Sequence, residues 1–190
     1  MSHTAESFDR LYELSPDPWD YRGSAYERDK YAHTLAALGP HAYSHALEVG
    51  CSIGVFTQVL AARCEQVTAI DFSARALSLA GERLAELDNV TLQQACFPQE
   101  VPSGDFDLIV CSEILYYLAR ASRHAAVEWL RRQLQAGAVV LAVSWRGPGT
   151  DEPATGDEVH DILARSLGYW HVLDGRQTGY RLDRFDAHGL

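Results

Sequence analysis

The chain has 190 residues, 47 % of them hydrophobic, and a formal net charge of −10 at neutral pH. This length and composition predict one folded domain over residues 1–190, and the acidic balance argues against a nucleic-acid partner, because binding phosphates requires clustered Lys and Arg. No apolar run has the length of a membrane span and no signal-peptide pattern is present, so we expect a cytoplasmic protein with no membrane partner. The oligomeric state stays open.

The cysteines and the lysine content give no functional signal at this stage. Cys51, Cys64, Cys96 and Cys111 are spaced too widely for a CxxC pair, so we expect reduced thiols and no metal site. Lys30 is the only lysine among 16 basic residues. We interpret it as a coding bias towards arginine and assign it no role.

The N-terminal part is predicted to form a helix preceded by an irregular aromatic segment. The region before Ser24 shows no clear period, and the prolines and glycine of SPDPWDYRG (15–23) indicate either a lid or a plain surface strap. Ser24 is a suitable cap for a helix that reaches about Leu38. Residues 1–38 are therefore predicted as an N-terminal lid or helix segment.

The stretch HALEVGCSIG (45–54) combines a strand, a glycine turn and the start of a helix. Three apolar residues surround Glu48, and Gly50 allows a backbone conformation that other residues adopt only at a cost. A helix is predicted over about 54–63. Such a strand, turn and helix place free backbone N–H groups at a helix N-terminus, where polar ligand groups bind well.

The rest of the chain alternates between strands and helices. The stretch FDLIVCSEILYYL (106–118) begins with nearly continuous apolar residues, which indicates a strand buried on both faces at the centre of a parallel sheet. The pattern as a whole predicts an α/β fold with a doubly wound, mostly parallel sheet that ends in an antiparallel hairpin. The other predicted elements are strands at 67–71, 90–95 and 138–145, helices at 74–87, 121–134 and 157–167, and hairpin strands at 169–174 and 179–185.

A ligand site is expected at the carboxyl ends of these strands. The turn at Gly50 lies at one such end, and Asp71 closes the neighbouring strand 21 residues later. A carboxylate there can accept hydrogen bonds from both hydroxyls of a ribose, which suggests an adenosine-containing cofactor. These two features alone do not separate a dinucleotide from a sulfonium cofactor.

Three further details favour the sulfonium cofactor. Ser52 lies between Gly50 and Gly54, so the GxGxxG fingerprint of dinucleotide folds is not met, while Glu48 precedes the first glycine by two residues and the chain ends in a hairpin. Together these features resemble the class I S-adenosylmethionine-dependent methyltransferases over about residues 45–186. The resemblance implies a Rossmann-like fold and S-adenosyl-L-methionine as cofactor.

The resemblance also implies a set of cofactor-binding residues. Asp71 would bind the ribose, and Glu113 would lie at the end of the central strand facing the substrate. The family commonly has a glycine at the position of Ser52 and an acid at that of Cys96, so an adenine contact near Cys96 would come from a backbone N–H or from Phe97. The implied cofactor-binding residues are Glu48, Gly50, Cys51, Ser52, Gly54, Asp71, Phe72, Cys96, Phe97 and Glu113.

A narrower likeness concerns the acceptor of the methyl group. The segments DPWDYRGSAYERDKY, ALEVGCSIGVFT, FDLIVCSEILYYL and the region from VSWRGP to GDEVH look like those of the NodS-type N-methyltransferases. That family is named for an enzyme that methylates the free amine of a deacetylated chitooligosaccharide. The likeness implies a small-molecule acceptor, most simply an amino sugar or oligosaccharide, although other amines or sugars stay possible because function depends on the site.

Candidate catalytic residues are Glu113, Tyr116 and His160. Glu113 could orient or neutralise a cationic amine, and His160 could remove an amine proton, although both also fit structural or surface roles. Tyr116 could equally be a packing residue. The candidate substrate-binding residues, which could instead pack as an aromatic strap or line the core, are Trp19, Tyr21, Tyr26, Arg28, Tyr117 and Trp145.

Two other functions stay open. The glycine turn and Asp71 could serve an NAD- or FAD-binding oxidoreductase, and the missing fingerprint glycine argues against this alternative. The chain could also keep the cofactor site but act as a non-catalytic, partner-binding module. Only an activity measurement separates that module from an enzyme.

Overall fold

A computed structural model describes residues 4–147 and 153–187. It contains one seven-stranded sheet, in which the first five strands are parallel and the last two form an antiparallel hairpin. This confirms the predicted α/β fold with a mostly parallel sheet and a closing hairpin. The strands are β1 (Tyr43–Val49), β2 (Cys64–Asp71), β3 (Val90–Gln94), β4 (Leu108–Ser112), β5 (Val139–Trp145), β6 (His171–Arg176) and β7 (Tyr180–Phe185).

The strand order is β3-β2-β1-β4-β5-β7-β6, so the chain starts at β1, moves outwards to β3 and returns to β4 beside β1. The central position of β4 confirms the prediction from its apolar run. Leu108 and Val110 pack into one core layer, and Ile109 and Cys111 pack into the other. The order of the strands reverses between β1 and β4, where a crevice at the carboxyl ends is expected.

The helices also follow the sequence pattern, with one exception. Ser24 and Ser73 cap their helices as predicted, because their side chains accept hydrogen bonds from the N–H groups of Glu27 and Ala76. The helices are α1 (Ala5–Leu14), α2 (Ala25–Ala37), α3 (Val55–Leu60), α4 (Ala74–Arg83), α5 (Arg120–Gln135) and α6 (Gly156–Leu167).

The exception is α1, which the sequence analysis treated as irregular. Thr4 and Ser7 form a reciprocal capping box at its start. Ala5, Phe8 and Tyr12 recur at three and four residues and face the protein, whereas Leu14 at the end of the helix is 78 % exposed. This short stripe is typical of an amphipathic helix, and the sequence analysis overlooked it. The helix packs against α4, and Phe8 and Tyr12 belong to a small cluster with Ile53 and other residues near the first turn after β1.

Within the described residues, no helix is both long and apolar enough to cross a membrane. The helices α1 and α2 lie on the same chain segment that the sequence analysis proposed as a lid. Its opening or closing stays a prediction.

Candidate active site

A cavity of about 450 Å³ lies at the carboxyl ends of β1, β2 and β4, where the strand order reverses. This volume falls within the range of roughly 300–1,000 Å³ that is typical of small-molecule sites. The cavity brings together most of the residues that the sequence analysis selected. Those that line it are Trp19, Tyr21, Glu48, Gly50, Cys51, Ser52, Asp71, Phe72, Cys96, Phe97, Glu113 and Tyr117.

The glycine turn after β1 forms one wall. Gly50 has a φ of +81°, and a Cβ atom there would lie 3.2 Å from Ile114 Cβ and 3.3 Å from the backbone oxygen of Ser112. The N–H groups of Gly50 and Cys51 both donate to the carbonyl of Ile70, at 2.9 and 3.0 Å. The turn is therefore fixed to β2, and only glycine fits at position 50 without strain.

Ser52 lies where the methyltransferase resemblance implies a glycine, and its conformation explains how a serine fits there. Its φ is +51°, in the left-handed region that glycine adopts most easily. The Ser52 N–H donates to Asp71 Oδ2 at 2.9 Å, and the Ser52 hydroxyl lies 2.6 Å from the hydroxyl of Tyr12 on α1. Two hydrogen bonds thus stabilise a backbone conformation that is otherwise unfavourable for serine.

Asp71 is a buried carboxylate at the end of β2. Its second oxygen, Oδ1, accepts a 2.9 Å hydrogen bond from the N–H of Ser73. Burial raises the pKa of Asp71 to about 6, against the opposing effect of the N–H groups of Ser73 and Ser52. Because each carboxylate oxygen can accept two hydrogen bonds, both oxygens keep capacity for ligand hydroxyls.

Glu48 contributes a buried oxygen that lacks a partner. The residue is 1 % exposed, and among the described residues no donor bonds to its Oε2 atom. Burial raises the pKa of Glu48 to about 7, with an opposing effect of the Thr57 hydroxyl and a smaller contribution from Asp71. A buried acceptor without a partner in a cavity wall suits a cationic or hydrogen-donating ligand group, such as the ammonium of a methionyl moiety.

The other walls of the cavity are largely aromatic. The ring of Phe8 on α1 lies 5.0 Å from Phe72, 5.5 Å from Tyr117 and 6.2 Å from Trp19, measured between centroids. Tyr31, a further candidate for an aromatic cover over the cofactor, also lines the cavity, as do Phe8 and Tyr12, which the sequence analysis did not select. Flat apolar rings suit an adenine or a sugar face.

Of the two adenine contacts expected near Cys96, the backbone N–H of Cys96 is already bonded within the protein. The Cys96 N–H donates to Glu100 Oε2 at 3.0 Å, so this backbone group is already engaged. Phe72 and Phe97 are the aromatic residues in this part of the lining.

Glu113 follows β4 and is held by three donors. Its carboxylate accepts hydrogen bonds from Lys30 Nζ at 2.7 Å through Oε1, and from the hydroxyl of Tyr116 and the N–H of Trp145, both at 2.8 Å, through Oε2. Its φ is +56°, an unfavourable value for glutamate. Tyr116 and Trp145 are outside the cavity lining but bond to Glu113, which lines it, and the ring centroid of Tyr116 lies 4.5 Å from that of Tyr117.

Lys30 is the main residue that the sequence analysis missed. It is 2 % exposed, and its ammonium lies 3.0 and 2.9 Å from the two oxygens of Glu27 in addition to the contact with Glu113. Burial alone would lower the pKa of Lys30, but attraction to Glu113 and Glu27 raises it above its ordinary value. The sequence analysis assigned Lys30 no role, whereas the structure gives it two carboxylate partners. A lone lysine three residues after a glutamate in a helix was the available signal.

The structure places His160 outside the cavity. The residue is fully buried on α6, and its Nδ1 atom lies 2.9 Å from Asp183 Oδ2 on β7. Burial would raise the pKa of Asp183, but His160 and Arg181 hold it below its ordinary value. This geometry supports a structural role and does not support the predicted role as a base, because a base must reach the proton that it removes.

Three further predicted residues are also outside the lining. Gly54 has a φ of +75°, and a Cβ atom there would lie 2.8 Å from Leu84 Cδ1, so this glycine allows α3 to pack closely on α4. The hydroxyl of Tyr26 donates to the carbonyl of Gly179 at 2.9 Å. Arg28 donates to the carbonyl of Gly23 at 2.7 Å. The side chains of Tyr26 and Arg28 are thus bonded to the protein itself.

Comparison with known sequences points to one family. Residues 8–147 match the sequence profile of a family described as nodulation protein S (NodS). A nodulation protein S from Rhizobium tropici is 38 % identical over 125 residues, which cover 64 % of this chain and 52 % of the relative. Another from Sinorhizobium fredii is 37 % identical over 103 residues, which cover 54 % and 48 %. The chain thus spans about half the length of the curated relatives it matches.

Solved structures agree with this result over nearly their full lengths. The N-methyltransferase NodS from Bradyrhizobium japonicum, in complex with S-adenosyl-L-homocysteine, superposes with a TM-score of 0.79 at 25 % identity and covers 96 % of this chain and 98 % of its own. A Pseudomonas syringae protein, provisionally assigned as a methyltransferase, has a TM-score of 0.75 at 35 % identity and covers 86 % and 99 %. The fold is that of the Rossmann-like methyltransferases.

Proposed function

The chain belongs to the nodulation protein S (NodS) family, and on this basis we propose that it transfers a methyl group from S-adenosyl-L-methionine to the amine of a small acceptor, most simply an amino sugar or oligosaccharide. The observation that carries the proposal is the cavity where the strand order reverses between β1 and β4. Its lining contains both the Gly50 turn and the carboxylates of Glu48 and Asp71. S-adenosylmethionine supplies, when bound, a sulfonium methyl group that a neutral amine nitrogen can attack.

The residues of the cavity fit the chemical groups of this cofactor. The Asp71 carboxylate can accept hydrogen bonds from ribose hydroxyls, and the unpartnered oxygen of Glu48 can accept one from an ammonium group. The rings of Phe72 and Phe97 offer flat surfaces for adenine. Gly50 allows the turn that brings these carboxylates to the cavity, since its φ is +81° and a Cβ atom there would press on Ser112 and Ile114.

For the acceptor, the proposal relies on Glu113 and the aromatic wall. Glu113 lines the cavity at the end of the central strand, where its carboxylate can orient an amine by accepting a hydrogen bond from one of the amine N–H groups. Trp19, Tyr21 and Tyr117 line the same cavity and can stack against a sugar ring. No general base is assigned, because an amine that binds in its neutral form needs only alignment with the methyl group.

Mass spectrometry of reaction products tests the proposal. The protein is incubated with S-adenosylmethionine and a chitooligosaccharide that carries one free amine, and the fully N-acetylated oligosaccharide serves as the matched control. We expect a product with one added methyl group from the first acceptor only. Methylation of neither acceptor, or of simple amines in preference to sugars, would contradict the amino sugar as substrate.

Thermal melts distinguish the alternatives to a methyltransferase. At 100 times its dissociation constant, S-adenosylhomocysteine should stabilise the fold by about 2.7 kcal/mol, which raises Tm by about 5 to 10 °C. A shift with NAD or FAD instead would favour the oxidoreductase. A shift with S-adenosylhomocysteine but no methylated product from any amine would favour the non-catalytic module.

A further inference from the structure

The helix α2 directs a charged group towards the end of the central strand. Glu27 and Lys30 lie three residues apart on this helix, and the ammonium of Lys30 bridges Glu27 and Glu113 at 2.7 to 3.0 Å. Its side chain is 3 % exposed. A buried lysine loses much solvation and side-chain freedom, and the two carboxylates offset this loss by pairing with its charge.

Glu113 is the member of this cluster that lines the cavity. Lys30 bonds to Oε1, while the hydroxyl of Tyr116 and the N–H of Trp145 bond to Oε2. A carboxylate can accept about four hydrogen bonds, so these contacts leave one acceptor position, on the oxygen that Lys30 holds. The left-handed φ of Glu113 sets the direction of its side chain as well. Lys30 thus bonds to Oε1, the Glu113 oxygen that can still accept a hydrogen bond from a ligand.

The same contacts exclude a role for Lys30 as a base or a nucleophile. Because the neighbouring carboxylates raise the pKa of Lys30, its nitrogen keeps its proton at neutral pH. The ammonium also lies 5.3 Å from the centroid of the Tyr26 ring, a distance at which the ring face favours a cation.

We propose that Lys30 is a positioning residue for methyl transfer, whose buried ammonium holds the Glu113 carboxylate at the cavity wall so that its free acceptor position meets an N–H of the acceptor amine. This rests on the proposed function. Without Lys30, Glu27 and Glu113 would repel each other and Glu113 would be held by Tyr116 and Trp145 alone. Lys30 would then affect the acceptor and the rate of transfer, and not the binding of the adenosyl group.

A double-mutant cycle tests this role. Lys30→Met, Glu113→Gln and the double variant are compared for kcat, for KM of the amine acceptor, and for the Kd of S-adenosylhomocysteine. We expect each single variant to lower kcat/KM for the acceptor at least about tenfold and to change the Kd by less than about threefold. The double variant should be about as slow as Glu113→Gln alone, because a residue that acts through Glu113 adds nothing once that carboxylate is gone.

Two further variants keep the test valid if Lys30→Met folds poorly. The cycle is repeated with Glu27→Gln in every variant, which removes the carboxylate that Lys30→Met would leave unpaired. Lys30→Arg keeps the positive charge and should recover part of the lost rate. Circular dichroism melts confirm that each variant is folded.

Several results would overturn the proposal. Losses that multiply in the double variant would mean that Lys30 does not act through Glu113. A rise in the Kd of S-adenosylhomocysteine equal to the loss in kcat/KM would assign Lys30 to the cofactor. A wild-type protein that methylates no amine would overturn the proposed function and this role together, whereas the first two results leave the proposed function intact.

Discussion

Tyr12 and Ser52 are joined by a hydrogen bond of 2.6 Å between their hydroxyl groups, although they are 40 residues apart in the sequence. Tyr12 lies on the N-terminal helix, and Ser52 lies in the turn whose backbone N–H binds Asp71. Burial raises the pKa of Tyr12, so its phenol stays protonated and can donate. The bond therefore connects the N-terminal segment, through Ser52, to Asp71, the carboxylate proposed to bind the ribose.

Tyr12→Phe should weaken cofactor binding without removing the cavity. The substitution deletes one hydroxyl that supports the left-handed conformation of Ser52. A neutral hydrogen bond contributes about 0.5 to 1.5 kcal/mol, so we expect the Kd of S-adenosylhomocysteine to rise about 2- to 10-fold in isothermal titration calorimetry. Tyr169→Phe, at a tyrosine that is 90 % exposed, is the matched control and should leave the Kd unchanged. Equal affinities for Tyr12→Phe and the wild type would show that the Tyr12–Ser52 hydrogen bond does not contribute to cofactor binding.

Gly50→Ala should damage both stability and binding. The new Cβ would lie 3.3 Å from the Ser112 carbonyl oxygen, and alanine at a φ of +81° costs about 1 to 2 kcal/mol. We expect a Tm lower by several degrees and a Kd for S-adenosylhomocysteine raised by at least about tenfold. Gly81→Ala is the control, because this glycine lies in α4 with its nearest neighbour 3.9 Å from the added atom and should be neutral or stabilising. Tight binding by Gly50→Ala would place the cofactor elsewhere.

Asp71→Asn tests the ribose role with little change in shape. The amide can still accept a hydrogen bond from the N–H of Ser73 or Ser52, but it loses the charge that strengthens bonds from ribose hydroxyls. Charged hydrogen bonds are worth about 1.5 to 3 kcal/mol, so we expect the Kd of S-adenosylhomocysteine to rise about tenfold or more. The matched ligand is homocysteine, whose weak binding should not change because it lacks a ribose. A Kd within twofold of the wild type would rule out the ribose contact.

The sequence predicts the sheet well because its signals are local. The apolar run of β4, the caps at Ser24 and Ser73, and the glycine turn at Gly50 each depend on neighbouring residues, and each occurs where it was expected. The site is harder to predict, because it depends on which helix faces which strand end. Lys30 and Glu113 are 83 residues apart, and no spacing rule connects them.

The errors have similar physical causes. His160 lies on α6, but its buried imidazole pairs with Asp183 on β7. That strand comes later in the chain, so the sequence around His160 does not reveal the contact. Gly54 matches a cofactor motif, yet the residue that it accommodates is Leu84, directly after α4. In both cases a residue type suited to chemistry serves packing, and only the tertiary contacts distinguish the two uses.

His160→Gln tests the structural role assigned to this residue. Glutamine removes the imidazole that pairs with the buried Asp183, and a hydrogen bond to a charged group contributes about 1.5 to 3 kcal/mol. We expect a lower Tm in circular dichroism melts, by about 3 to 12 °C. The rate of methyl transfer per folded molecule should stay near that of the wild type at a temperature well below both transitions. A loss of kcat with an unchanged Tm would restore the role of a base.

Binding of S-adenosylhomocysteine should strengthen as pH rises towards 8. Burial raises the pKa values of Glu48 and Asp71 to about 7 and about 6, so the free protein takes up protons on these groups as the pH falls through those values, whereas the ligand's ammonium and ribose bind the ionised forms. Below pH 8 binding must therefore release protons, so the affinity falls as pH drops through these values and the Kd at pH 6 should be about twentyfold higher than at pH 8. Calorimetry across this range, in buffers with different ionisation enthalpies, measures both the Kd and the protons released. Glu48→Gln should flatten the part of the curve near pH 7, and an affinity that rises as the pH falls would contradict a role for either carboxylate in its ionised form.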